Sequence, residues 1–125
     1  MNEFLHGVWQ QVTSLTALEH YVNPFNINFH LWRESKNIQV IALFSVRFTD
    51  AAPELIPYFD LYLPGPASHT KVQTCFYASH ERNGEMLYSP GFAEIDNNLI
   101  RIRAFPFRSD STYTFNFSFF YFSAQ

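Results

Sequence analysis

The side chains best able to do chemistry are scattered along this chain and form no recognisable motif. There is no Gly-x-Ser-x-Gly nucleophile motif and no phosphate-binding glycine loop, and the chain has only four glycines. The histidines lack the His-x-His or His-x-x-x-His spacings that place two imidazoles on one metal ion; they are His6, His20, His30, His69 and His80. We therefore expect no catalytic residue, no metal ligand and no cofactor.

Two smaller groups of polar residues are typical of turns. Glu94 and Asp96 lie two positions apart beside a predicted hairpin, but the ligand spacing of an EF-hand calcium loop is missing. His80 and Glu81 fall in a run that is typical of a solvated turn. Neither group indicates an active site.

The best sequence evidence for ligand binding is the pair Trp32 and His30. Both fall on the polar side of a predicted strand, together with Asn26 and Asn28. An exposed tryptophan beside amides and an imidazole is typical of a surface that stacks on a saccharide. The alternative is that Trp32 packs under the neighbouring turn or in a subunit interface.

Composition narrows the class of protein. Charged residues make up 15% of the 125 residues and aromatic residues 19%, against roughly 25% charged residues in ordinary soluble domains. Such a chain is expected to bury part of its surface against other chains, although a dense core would also use many aromatics. A net charge of −3 gives no indication of the positively charged surface that binds nucleic acid, so no nucleic-acid partner is expected. The first nine residues lack the positive charge and the long apolar stretch of a signal peptide, and no apolar run approaches the length of a membrane span, so we expect neither.

The hydrophobic pattern alternates with a period of two from Pro24 onwards, and we expect one β-sandwich domain over residues 23–125. Turn residues bound seven to nine short strands, so the expected fold is all-β, an antiparallel sandwich resembling a jelly roll. Residues 40–44 are apolar at every position, which predicts a central strand covered on both faces. We expect a tight hairpin at residues 96–98, and we expect Ser89–Gly91 to end the strand that precedes it.

Residues 1–22 are expected to be an N-terminal docking segment that attaches the domain to another protein. Leu5, Val8, Val12 and Leu15 follow a helical spacing, whereas the β-branched Val12, Thr13 and Thr16 favour a strand. The sequence leaves a short N-terminal helix and a strand equally open.

Seven of the ten residues in the final strand, 113–122, are aromatic and none is charged. The odd positions, from Tyr113 to Tyr121, are expected to face the core. The opposite face begins polar with Thr114 and Asn116 and ends apolar with Phe120 and Phe122, and we interpret it as a candidate subunit interface.

The order of these segments resembles the small β-sandwich tip domains of bacteriophage tail and head fibres, and the fold is similar to the trimeric jelly rolls of the tumour-necrosis-factor and C1q type. The segments that carry the resemblance are WQQVTSLTALEHY (9–21), FHLWR (29–33), KNIQVIALF (36–44), LYLPGP (61–66) and GFAEIDNNLIRIR (91–103).

The resemblance implies a homotrimer with an aromatic axis, located in a virion, in contact with other virion proteins and with a host-surface glycan. Two other hypotheses are a cellular carbohydrate-binding or adhesion module of the same architecture, and a small cupin-type enzyme. The cupin hypothesis lacks the necessary histidine and glutamate spacing.

Overall fold

The computed structural model describes residues 6–124, apart from the side chains of Arg82 and Phe105. Eight strands form one antiparallel sheet in the order β1-β2-β3-β8-β5-β6-β7-β4. The strands are β1 (Trp9–Val12), β2 (Val22–Glu34), β3 (Asn37–Phe48), β4 (Leu55–Tyr62), β5 (Val72–Arg82), β6 (Glu85–Asp96), β7 (Leu99–Arg108) and β8 (Tyr113–Phe122). The prediction of an antiparallel all-β fold is confirmed.

The sheet folds over so that its two halves face each other across an aromatic core. Phe115 of β8 lies 5.8 Å from both Phe59 of β4 and Phe107 of β7, measured between ring centroids. Phe48 of β3 contacts the same two rings, at 6.2 and 6.3 Å. One layer is therefore β1-β2-β3-β8 and the other is β5-β6-β7-β4, with the core between them.

The open possibility of a short N-terminal helix is excluded for the described residues, none of which is α-helical. Trp9–Val12 instead pairs with the middle of β2, where Trp9 lies opposite Trp32 and Val12 opposite Phe29. As a strand, Trp9–Val12 pairs its backbone N–H and C=O groups with those of β2. Leu15, just after the strand, is buried in the core. Among all the described residues, 6–124, no helix is long and apolar enough to cross a membrane.

The segment after β1 also joins the other layer. The backbone N–H of Leu18 donates to the carbonyl of Asp60, and that of Tyr62 donates to Thr16, both at 2.9 Å. The free edge of β4 is thus covered, which removes a site for unwanted strand pairing. The predicted docking role of residues 1–22 remains a prediction, and its first five residues lie outside the described chain.

The tight turn predicted at residues 96–98 has the backbone that its residues suggest, since Asn97, between β6 and β7, has φ 56°. Ser35, between β2 and β3, also has a positive φ, of 57°. The predicted break at Ser89–Gly91 is wrong, because β6 runs without interruption from Glu85 to Asp96. Pro90 lies just beyond the β6–β7 ladder, which begins at Gly91, so the missing N–H of proline does not interrupt that pairing.

Candidate interaction surface

The outer face of the β1-β2-β3-β8 layer carries large apolar side chains that no other residue of the described chain covers. The odd residues of β8 are buried as predicted, but Phe120 is 67% exposed and Phe122 is 50% exposed. Ile41 and Leu43 of β3 are also more than a third exposed. The prediction that residues 40–44 are covered on both faces is therefore wrong for the single chain.

Strand register places these side chains in three rows across the layer. The first row is Trp9, Trp32, Gln39 and Phe120; the second is Gln11, His30, Ile41 and Ser118; the third is Asn28, Leu43 and Asn116. None of these residues is Asp, Glu, Lys or Arg. We call the surface made by these rows, together with Phe122 at its rim, the neutral face.

The four residues predicted for an interface all lie on β8, but they differ in their surroundings. Phe120, Phe122 and Asn116 are exposed on the neutral face. Thr114 is half-buried, and its hydroxyl is hydrogen-bonded to that of Ser45 at 2.9 Å. The structure therefore brings the first three together on open surface, whereas Thr114 stabilises the pairing of β3 with β8.

The two residues predicted for ligand contact lie at the β1 side of the neutral face. Trp32 is half-buried because Trp9 covers part of it, with ring centroids 5.6 Å apart and planes tilted by 56°. His30 Nε2 donates to Asn28 Oδ1 at 2.6 Å. Sequence reasoning missed Trp9, since its partner became clear only from the β1–β2 register; the spacing of Trp9 and Gln11 on alternate positions was the available signal.

A groove opens between β8 and the start of β5, beside Phe120. Pairing of these strands among the described residues is limited to two positions, Ser79 with Thr114 and His80 with Tyr113. Further along, the Thr74 hydroxyl donates to the Ser118 carbonyl at 3.0 Å, and the strands then separate. The groove has a volume of about 570 Å³ and is lined by polar side chains and by aromatic ones, among them Gln39, Gln73, Thr74, Phe120 and Phe122.

The histidines are not brought together, and residues 6–124 contain no group of three or more His, Cys, Asp or Glu side chains able to hold a metal ion. The prediction that His80 belongs to a solvated turn is wrong. It lies within β5 and is buried, with its ring 4.8 Å from that of Tyr113. The strand continues to Arg82 because the tight turn is formed by Asn83 and Gly84, both of which have positive φ.

The most buried charged pair, Asp60 with Arg101, lies on the outer face of the other layer. Arg101 donates two hydrogen bonds to the Asp60 carboxylate, at 2.8 and 3.0 Å, and its guanidinium lies 4.2 Å from the centroid of the Tyr58 ring. The hydrogen bonds to Asp60 raise the pKa of Arg101 above its ordinary value. This geometry occupies the carboxylate fully, which indicates a structural role rather than proton transfer.

Replacement of Arg101 by alanine is expected to destabilise the fold by about 2–3 kcal/mol, because it leaves the Asp60 carboxylate buried without a partner. The arginine is itself 36% exposed, so the loss is smaller than that of a fully enclosed pair. Urea unfolding of Arg101→Ala measures the loss. The double variant Asp60→Leu/Arg101→Leu is the matched control and should recover most of it. A double variant no more stable than Arg101→Ala would contradict this explanation.

Comparison with known proteins gave no assignment, since a scan against protein-family models, a search of curated proteins and a search of solved structures each returned no match.

Proposed function

We propose that this chain is a non-enzymatic structural protein that assembles as a homotrimer through its neutral face and forms a receptor-binding or decorating knob of a bacteriophage particle. The observation that carries the proposal is the neutral face itself. It exposes Phe120, Phe122, Ile41 and Leu43 on one side of the sheet. Its three rows contain no charged side chain, and Glu34 lies at its rim, in the register row of Phe122. Depletion of charge and enrichment in aromatic residues distinguish the centre of an interface from ordinary surface.

The physical driving force is the burial of apolar area. Each large aromatic side chain that becomes fully covered removes about 150–250 Å² from water. A flat sheet face also loses little conformational entropy on docking, because its backbone is already fixed by pairing on both sides of β3. A second copy of the chain suits this surface, since only 15% of its residues are charged and it can offer apolar surface of its own.

The placement in a virion rests on the resemblance in segment order described above. Contacts with other virion proteins and with a host-surface glycan belong to the same proposal. The genes beside this one provide a direct test: tail or capsid genes on either side support the virion assignment. A cellular operon for adhesion or carbohydrate metabolism would contradict it.

The interface part of the proposal is tested by hydroxyl-radical footprinting at several protein concentrations. Phe120 and Phe122 should become protected as concentration rises, because copies then cover them. Leu55 is the internal control, because it is 52% exposed and lies on β4, away from the neutral face. Labelling of Phe120 that stays constant while the oligomer forms would place the interface elsewhere.

A second candidate function is that of a carbohydrate-binding module, favoured by the tilted pair of Trp9 and Trp32. Two tilted rings form a platform with an apolar surface, and Gln11, His30 and Gln39 offer hydrogen-bonding groups next to it. Such a combination fits a neutral saccharide, which presents both C–H faces and hydroxyls.

For this candidate, Trp9→Ala is expected to weaken binding to a neutral glycan at least tenfold, which corresponds to about 1.4 kcal/mol. Trp9 is 45% exposed, so the melting temperature should change little. A glycan array followed by titration calorimetry measures the affinity, with Leu55→Ala as the control for loss of an exposed side chain. Glycan binding that is equal in both variants would remove the tryptophan pair from consideration.

A further inference from the structure

A three-fold assembly needs two different surfaces on each copy. Around a three-fold axis every contact is heterologous. Each copy therefore uses one surface to contact the neighbour on its left and a different surface to contact the neighbour on its right. Only a two-fold interface pairs a patch with itself. If the chain is a trimer, as proposed above, the neutral face must meet a second surface of the adjacent copy.

The outer side of the β5–β6 hairpin is another place where large apolar side chains are exposed. Tyr77 is 68% exposed and Tyr88 is 66% exposed, which are among the highest values of any large apolar residue in the described chain. The register pairs Tyr77 with Pro90 and Ser79 with Tyr88, so the two tyrosines are diagonal neighbours on the same face. Met86 and Phe92 extend this group along β6, and we call it the tyrosine surface.

The groove beside Phe120 has the shape and chemistry to receive such side chains. It is an opening of about 570 Å³, and the rings of Tyr77 and Tyr88 lie uncovered on the surface of each copy. Phe120 and Phe122 offer an apolar wall for a phenol ring, and Gln39, Gln73 and Thr74 offer partners for its hydroxyl. Lys71, also in the lining, already pairs with Glu94 at 3.2 Å, so no unpaired charge opposes a neutral side chain there.

We infer that the tyrosine surface of one copy docks on the neutral face of the next, with Tyr77 or Tyr88 inserted in the groove between β5 and β8. The two surfaces also lie next to each other in each chain, because Ser79 beside Tyr88 pairs with Thr114 at the start of β8. This inference rests on the proposed trimer and specifies which two surfaces form it.

A mixing experiment with two defective variants tests the inference. Phe120→Asp damages the neutral face and leaves the tyrosine surface intact, while Tyr88→Asp does the reverse. Each variant alone should be monomeric by sedimentation velocity, because every contact between neighbouring copies needs an intact neutral face and an intact tyrosine surface. An equimolar mixture should form a 1:1 heterodimer, since the intact tyrosine surface of the first variant fits the intact neutral face of the second.

Circular dichroism first confirms that both variants keep the sheet signature of the wild type, and Tyr77→Asp replaces Tyr88→Asp if the latter misfolds. Leu55→Asp is the matched control and should keep the wild-type mass. The inference is overturned if the mixture forms no heterodimer. It is also overturned if Tyr88→Asp and Tyr77→Asp, each measured alone, both keep the wild-type mass. If the wild type is oligomeric and Phe120→Asp is monomeric, the proposed interface at the neutral face is still supported. If the wild type is itself monomeric, both the proposed trimer and this inference are wrong.

Discussion

Replacement of Phe120 by aspartate is expected to convert the assembled protein to a folded monomer. The side chain is 67% exposed in the single chain, so the substitution removes little from the core. In the assembly, the same position would place an unpaired carboxylate in every copy of a desolvated interface, at a cost of several kcal/mol per contact. A loss of about 3 kcal/mol corresponds to more than a hundredfold weaker association.

Sedimentation velocity of the purified variant measures this effect, and Phe122→Asp should show it less strongly because Phe122 lies at the rim. Leu55→Asp introduces the same charge at an exposed apolar residue on β4 and should leave the mass unchanged. Thr114→Asp is a poor probe of the interface, since the hydroxyl of Thr114 is hydrogen-bonded to that of Ser45 and its loss would disturb β3. Full assembly of both Phe120→Asp and Phe122→Asp would show that the copies meet elsewhere.

The second large effect is expected from Phe115→Ala, which should cost about 3–5 kcal/mol of unfolding free energy. Phe115 is fully buried, and its ring centroid lies 5.2 Å from Phe44 and 5.4 Å from Phe76. It also contacts Phe59 and Phe107 in the opposite layer. Its removal therefore leaves a cavity where the two layers meet, and the rigid sheet on either side cannot collapse to fill it.

Urea unfolding of the monomeric Phe120→Asp background separates this loss from any change in assembly. Phe122→Ala in the same background is the control, because it truncates the same residue type on the same strand at an exposed position. Its cost should stay near the ±0.5 kcal/mol usual for surface substitutions. Equal losses for the two alanine variants would mean that the aromatic cluster does not hold the layers together.

The fold was predictable wherever alternation and turn chemistry agreed. In β8 the odd aromatic residues are buried and the even residues are exposed, because side chains of a strand point to opposite faces. At residues 96–98 the polar Asp-Asn-Asn run tolerates positive φ, and the turn between β6 and β7 lies there. These features depend on neighbouring residues alone, so the sequence contains the information that they need.

The remaining features depend on contacts between distant parts of the chain. Trp9–Val12 is a strand because β2 pairs with it, which overrides the weak helical spacing of residues 5–15. Ile41 and Leu43 belong to a run that predicts a strand buried on both faces, yet in the single chain both side chains are more than a third exposed. The pairing of Trp9 with Trp32 and the groove between β5 and β8 arise from register, which the local pattern does not specify.

The central claim, that copies of this chain cover each other's neutral faces, is tested most directly by the mass of the wild-type protein in solution across a dilution series. Sedimentation equilibrium should give three times the chain mass of 14.7 kDa at high concentration, with dissociation towards one chain on dilution. A mass of one chain at every concentration, including the highest that stays soluble, would contradict the claim.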